Sequence, residues 1–418
     1  MKKDSDGQQK IVRRISGPFV VLLFLMLPVA SLYGAVKIGA DLLVERHLDL
    51  LRGKRVGIVT NHTGRLSTGE FLVDVLRDHG ITVVALFGPE HGVRGEVRAG
   101  ETVRDTIDPR TGIPVFSLYG TISKPTPGML TAVDVLIYDI QDVGARFYTF
   151  ISTMALAMEA AAEHGIPFIV LDRPNPLGGL LIDGPVMEDS LRSFVGMFPI
   201  PIVYGLTCGE LATMINQEGW LAEGKRADLV VIHMERWTRR MLWEETGLTW
   251  YPPSPNIPLP ASAMAYPATC IVEATNLSEG RGTSRPFQLI GAPFVDGVRL
   301  CDALDSCRLP GVRFRQAAFV PAASKFQGDT CRGICIEVTE NSVYRPTLVG
   351  LSLLREGLRL FPTDFRISRK SFLRLAGSAT AFGSLSAGVP PMEIESAWLP
   401  KLEAYRAKAS QYRVYPID

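Results

Sequence analysis

Apolar runs and helical patterns alternate along the first half of the chain. The runs lie at 55–60, 81–87, 114–118, 133–138, 166–171 and 227–232, each five to seven residues long and rich in Val, Ile, Leu and Phe. Continuous apolar runs of this length read as strands buried on both faces, as in a parallel sheet covered by helices. Between them, Phe147, Ile151, Met154 and Met158 recur close to helical spacing and predict a helix at about 147–164. Ser67 with Glu70, and Thr207 with Glu210, form the pattern in which two residues three apart cap each other's backbone; each predicts a helix start, the first helix running through Leu76. Glu210 is therefore read as a capping residue.

Near residue 250 the pattern changes. Residues 250–260 hold five prolines, which remove backbone donors and exclude an inner strand or a helix interior. A domain junction is placed near 265. Beyond it the sequence predicts a strand at 333–338 and helices at 347–360 and roughly 393–409. The fold class is α/β: a parallel-sheet domain over 40–265, then a smaller α+β C-terminal domain over 266–418.

Composition narrows the function. The chain has 418 residues, 46% hydrophobic and 21% charged, with 44 basic against 43 acidic side chains. That balance lacks the basic excess of a nucleic-acid binder. Residues 1–36 join a basic flank (Lys2, Lys3, Lys10, Arg13, Arg14) to an apolar core at 19–27. This reads as an export signal or signal anchor, so the expected location is periplasmic or extracellular, with membrane contact only through this segment if it is uncleaved. Cys331 and Cys335 fall within the predicted strand and read as buried small hydrophobes rather than ligands. Cys301 and Cys307 are a possible disulfide pair in an oxidising compartment.

The polar residues cluster where strands end. Asn61-His-Thr-Gly follows the first run, Gly88-Pro-Glu-His-Gly92 with Arg94 and Glu96 the second, and Tyr119 the third. Asp139-Ile-Gln-Asp142 with Arg146 follows the fourth, and Asp172-Arg-Pro-Asn175 the fifth. If the strands are parallel, all five clusters meet at one rim, where open α/β sheets bind ligands. Glu90 and His91 stand in a loop fenced by Pro89 and Gly92. Asn256 lies in the proline-rich stretch, and Glu273, Asn276, Glu279 and Arg281 fall within nine residues of a glycine-rich stretch, expected to close a cleft against the rim. No G-x-G-x-x-G opens the first βα unit, no G-x-S-x-G occurs, and no two histidines have zinc-ligand spacing. No cofactor and no metal are therefore expected.

At these residues the chain resembles a known family. The stretches 87–95, 139–149, 171–179, 254–256 and 275–283 are similar to those of the exo-β-N-acetylmuramidase family of peptidoglycan recycling (NamZ-like), from about residue 45 to the C-terminus. The resemblance implies a Rossmann-like domain, a smaller C-terminal domain and a site in the cleft between them. It implies release of terminal N-acetylmuramic acid from the non-reducing end of peptidoglycan fragments, so the partners are disaccharides or muropeptides. It also makes Glu90 the catalytic residue. Glycoside cleavage needs a protonated acid and stabilisation of an oxocarbenium-like centre. Glu90 is the expected general acid. Asp142, Glu273 and Glu279 are candidates for the second group, and the substrate's own 2-acetamido group is the alternative, oriented by Asp139 or Asp142. Arg94, Arg146 and Arg281 are expected to meet the lactyl carboxylate. Asn61, His91, Tyr119, Gln141, Asp172, Arg173, Asn175, Asn256 and Asn276 complete the expected substrate-binding set. A non-catalytic carbohydrate-binding or sensing protein is the competing class, and an amidase or esterase is a third.

Overall fold

The computed structural model describes residues 34–90, 92–94 and 105–418. Seven strands form one sheet: β1 (Arg55–Thr60), β2 (Thr82–Gly88), β3 (Thr106–Ile107), β4 (Pro114–Ser117), β5 (Val135–Asp139), β6 (Phe168–Leu171) and β7 (Leu229–Ile232). Their order is β3-β4-β2-β1-β5-β6-β7; all pairs are parallel except the two-residue edge strand β3. The chain leaves β1 toward β2 on one side and resumes at β5 on the other, which puts a topological switch point beside β1.

Helices cover both faces. The first helices are α1 (Gly39–Arg46), α2 (Leu72–Asp78), α3 (Pro127–Leu130), α4 (Phe150–Glu163) and α5 (Cys208–Gln217). Side chains alternate along each strand, so successive residues join different cores. Val56, Ile58, Ile137 and Ile169 pack with α1 and α2, whereas Val59, Leu136, Tyr138 and Phe168 pack with α4 and α5. One correction follows. Ser67 and Glu70 do not open a helix: they sit in a turn closed by the Leu66 N–H donating to the Glu70 carbonyl, and α2 begins after Phe71. The Thr207–Glu210 box does form, with both reciprocal hydrogen bonds.

The C-terminal part contains α6 (Pro260–Thr269), β8 (Leu289–Ala292), α7 (Gly297–Ser306), β9 (Val312–Phe319), β10 (Cys331–Val338), α8 (Pro346–Leu360), α9 (Arg369–Ala376), α10 (Ala379–Ser386) and α11 (Pro391–Ala409). Its sheet is antiparallel, in the order β8-β10-β9. The core on the α4 side runs on through Tyr266, Ile290, Ile334 and Leu353, so residues 35–418 form one unit and residue 265 falls inside α6. Cys331 and Cys335 are buried on β10, while Cys301 lies on α7 and Cys307 caps it, each with a separate free thiol. Residues 1–33 of the expected export segment lie outside the described residues, among which no helix is long and apolar enough to cross a membrane.

Candidate active site

Parallel strands point their carboxyl ends one way, so the loops after β1, β2, β4, β5 and β6 share a rim. Glu90 stands just past β2 and accepts a 3.0 Å hydrogen bond from the Tyr119 hydroxyl, presented just past β4. Burial, then the Glu90 charge, pushes the Tyr119 phenol up to about 12, so it stays a donor. His91 lies outside the described residues.

Past β5, Asp142 is 5% exposed. Its Oδ2 accepts from the Gly144 N–H at 2.6 Å and from the buried Tyr204 hydroxyl. Its Oδ1 is buried without a hydrogen-bond partner. Burial lifts this carboxyl to about 6, against the hydrogen bonds that favour its charge. Gly144 is required here: its φ is +77°, and a Cβ would lie 2.3 Å from Asn175 Oδ1.

Tyr148, at the end of the same loop, holds its hydroxyl buried and unpaired. Its ionisation is suppressed by burial, then by the charges of Asp142 and Glu90, and is eased by Arg281. This one phenol therefore lies within electrostatic reach of all three groups. A run of edge-to-face aromatics crosses to the C-terminal part: Tyr148 meets Tyr266 at 5.9 Å, Tyr266 meets Phe287 at 4.6 Å, and the Arg281 guanidinium lies 5.1 Å over Phe287. Each such pair contributes roughly 0.5–1.5 kcal/mol beyond its buried area, enough to fix the mutual placement of the two walls.

Arg281 is held by Glu273 at 2.5 Å and by Glu279 at 3.0 Å. Glu279 is almost fully buried and also takes Lys325 at 3.1 Å, so both its oxygens are bound to cations. The glycines flanking Arg281 let its loop lie against the 322–323 backbone, 2.3 Å from where a Gly282 Cβ would stand.

Several residues expected at the rim are bound within the protein. Arg146 is 1% exposed and donates to the carbonyls of Pro185, Ile200, Leu375 and Ala376; it ties α9 to the first sheet's loops. Arg94 forks onto Asp108 at 2.8 and 3.0 Å and stacks 4.5 Å over Phe71. Asp172 is sealed: it accepts from the Gly209 N–H, from the Thr207 hydroxyl and from the Tyr415 hydroxyl of the C-terminal tail. Asn175 bridges Leu206 and Leu177, and Asn276 bridges Asp364 and Arg366. Asp139 pairs with Arg173 at 2.7 Å, and Asn61 binds Thr63, all buried. Gln141 and Arg173 line a small hollow with Thr63, Arg65, Trp243 and Tyr251. Asn256 is half-buried in the loop turned by Ser254.

The residues missed from sequence are Tyr148, Tyr204, Tyr266, Phe287 and Lys325. Tyr148 lay inside the 139–149 stretch and could have been found by asking which polar group there remained unassigned. Tyr204 had no local signal, being 62 residues from Asp142. Among the described residues, no group of His, Cys, Asp and Glu side chains is arranged to hold a metal ion.

Known proteins share this architecture. Two crystal structures of DUF1343 family proteins from Bacteroides fragilis NCTC 9343 superpose on it. One has a TM-score of 0.86 and 40% identity, covering 91% of this chain and 99% of that one; the other has 0.75 and 32%, covering 92% and 99%. A Bacillus subtilis (strain 168) relative named peptidoglycan beta-N-acetylmuramidase NamZ is 46% identical over 382 residues, 91% of each chain. The models of the N-terminal and C-terminal parts of exo-beta-N-acetylmuramidase NamZ match residues 56–261 and 264–415. The chain thus belongs to the NamZ family of exo-β-N-acetylmuramidases.

Proposed function

We propose that this protein is a glycoside hydrolase that releases terminal N-acetylmuramic acid from the non-reducing end of peptidoglycan fragments, with Glu90 as general acid. The observation that carries the residue assignment is the Glu90 carboxyl just past β2, bound by the Tyr119 hydroxyl at the rim where Asp142 also stands. Family membership supports the reaction. Glu90 sits on a loop at the rim, oriented by a neutral phenol, where it can hand a proton to a leaving glycosidic oxygen. Arg281, a quarter exposed and paired with Glu273 and Glu279, is the guanidinium of the expected trio that we assign to the lactyl carboxylate. A purely sugar-binding protein would not need a carboxylic acid there.

The N-terminal pattern supports export, which places the protein where peptidoglycan fragments are released. The test is to incubate purified protein with a disaccharide bearing N-acetylmuramic acid at its non-reducing end, and with one bearing N-acetylglucosamine there. The first is expected to be split and the second left intact. Binding of the first without cleavage would point to the sugar-binding class, and cleavage of only the lactyl or peptide part to an amidase or esterase.

A further inference from the structure

Two polar atoms on the loop after β5 stand buried without a hydrogen-bond partner: Asp142 Oδ1 and the Tyr148 hydroxyl. Buried polar groups are nearly always hydrogen-bonded, and leaving one unmade is costly. Asp142 is not loosely placed. Tyr204 and the Gly144 N–H fix its other oxygen, so Oδ1 is held in one position. Tyr148 is likewise pinned, its ring edge-to-face with Phe150 at 4.8 Å and with Tyr266 at 5.9 Å. The two are close enough for the Asp142 charge to act on the phenol, yet no hydrogen bond joins them. One is an acceptor and the other a donor. A secondary amide offers the complement, one N–H and one C=O.

We infer that Asp142 and Tyr148 together form the receptor for the 2-acetamido group of the sugar, with Asp142 accepting its N–H and Tyr148 donating to its carbonyl oxygen, so that this oxygen is the nucleophile. The inference rests on the proposed muramidase activity. In the first step the carbonyl oxygen bonds to C1 while the C1–oxygen bond to the leaving sugar breaks. The bond's electron pair goes to that oxygen, and Glu90 supplies its proton. The amide N–H, now acidic, is held by Asp142 in the resulting five-membered ring. In the second step water adds to C1, its proton passes to Glu90, and the ring C1–O pair returns to the amide carbonyl. No second protein carboxylate bonds to the sugar, which accords with Glu279 being committed to Arg281 and Lys325.

The test uses aryl β-muraminides carrying N-acetyl, N-fluoroacetyl, N-difluoroacetyl and N-trifluoroacetyl groups. Fluorine weakens the carbonyl as a nucleophile, so kcat for the full-length protein is expected to fall at each step. Tyr148→Phe, which keeps the ring and its packing, is expected to lower kcat about 10²–10³-fold, as for loss of one donor to a reacting oxygen. Its KM and melting temperature are expected to stay near those of the parent. A thiazoline analogue of the ring intermediate is expected to inhibit the parent and to bind Asp142→Asn much more weakly. A flat rate across the fluorinated series, with the N-acetyl substrate still cleaved, overturns this inference and leaves the muramidase reading standing. An unchanged kcat in Tyr148→Phe removes Tyr148 from the receptor. Failure of the parent to cleave any muraminide overturns the muramidase reading and this inference with it.

Discussion

Two polar regions lie at the carboxyl edge of the same sheet and differ in how their groups are satisfied. Beneath α5, Asp172 and Glu210 have both oxygens engaged: Asp172 by Gly209, Thr207 and Tyr415, Glu210 by Thr207, Val414 and the buried Arg239. After β5, by contrast, Asp142 and Tyr148 each keep an atom without a partner. The first region is a clasp that fastens the C-terminal tail to the sheet. The second has hydrogen-bonding capacity left for a ligand. The carboxylates at this edge thus divide into those bonded through both oxygens, which hold the fold, and those, Asp139 and Asp142, that keep one oxygen without a partner.

The comparison can be broken from either side. The largest effect is expected at the clasp. Arg239→Ala leaves the Glu210 carboxylate buried without its cation, and is expected to lower stability by about 3–5 kcal/mol in urea unfolding while turnover per folded molecule holds. A loss of turnover in the folded fraction would show that the two regions are not separable. Arg146→Met removes the donor to four carbonyls and is expected to cost about 1–3 kcal/mol. Because Arg146 was expected to bind the lactyl group, a large rise in KM with unchanged stability would reverse its assignment.

The smallest effect tests the second region. Tyr204 donates to Asp142 and so favours its ionised form. Removing that hydroxyl in Tyr204→Phe raises the Asp142 pKa above about 6. If the ionised carboxylate is the working form, the acidic limb of the rate profile moves to higher pH, with activity lost near pH 6 and recovered above it. An unmoved limb would separate Asp142 from the reaction.

The parallel sheet was legible because both its faces are buried, which writes continuous apolar runs at 55–60 and 133–138 that no other element type produces as economically. The rim followed from counting polar residues after those runs. What stayed hidden was long-range: the hydroxyl of Tyr204 on Asp142, the four carbonyls around Arg146 and the tail tyrosine on Asp172 all join positions far apart in sequence. Arg146 and Arg281 look alike as residues in polar loops; only packing separates the guanidinium capped by carbonyls from the one held between carboxylates. The Ser67–Glu70 pattern failed for a local reason, since Gly69 with φ at +94° makes the turn tighter than a helix start allows.

The most direct test of the account is the dependence of Glu90→Gln on the leaving group. With a sugar as leaving group, whose oxygen needs a proton, kcat/KM is expected to fall about 10²–10⁴-fold. With a dinitrophenyl muraminide, whose leaving oxygen departs as a stable anion, most of the parent rate is expected to remain. Equal losses on the two substrates, or none on either, would contradict the assignment of Glu90 as the proton donor.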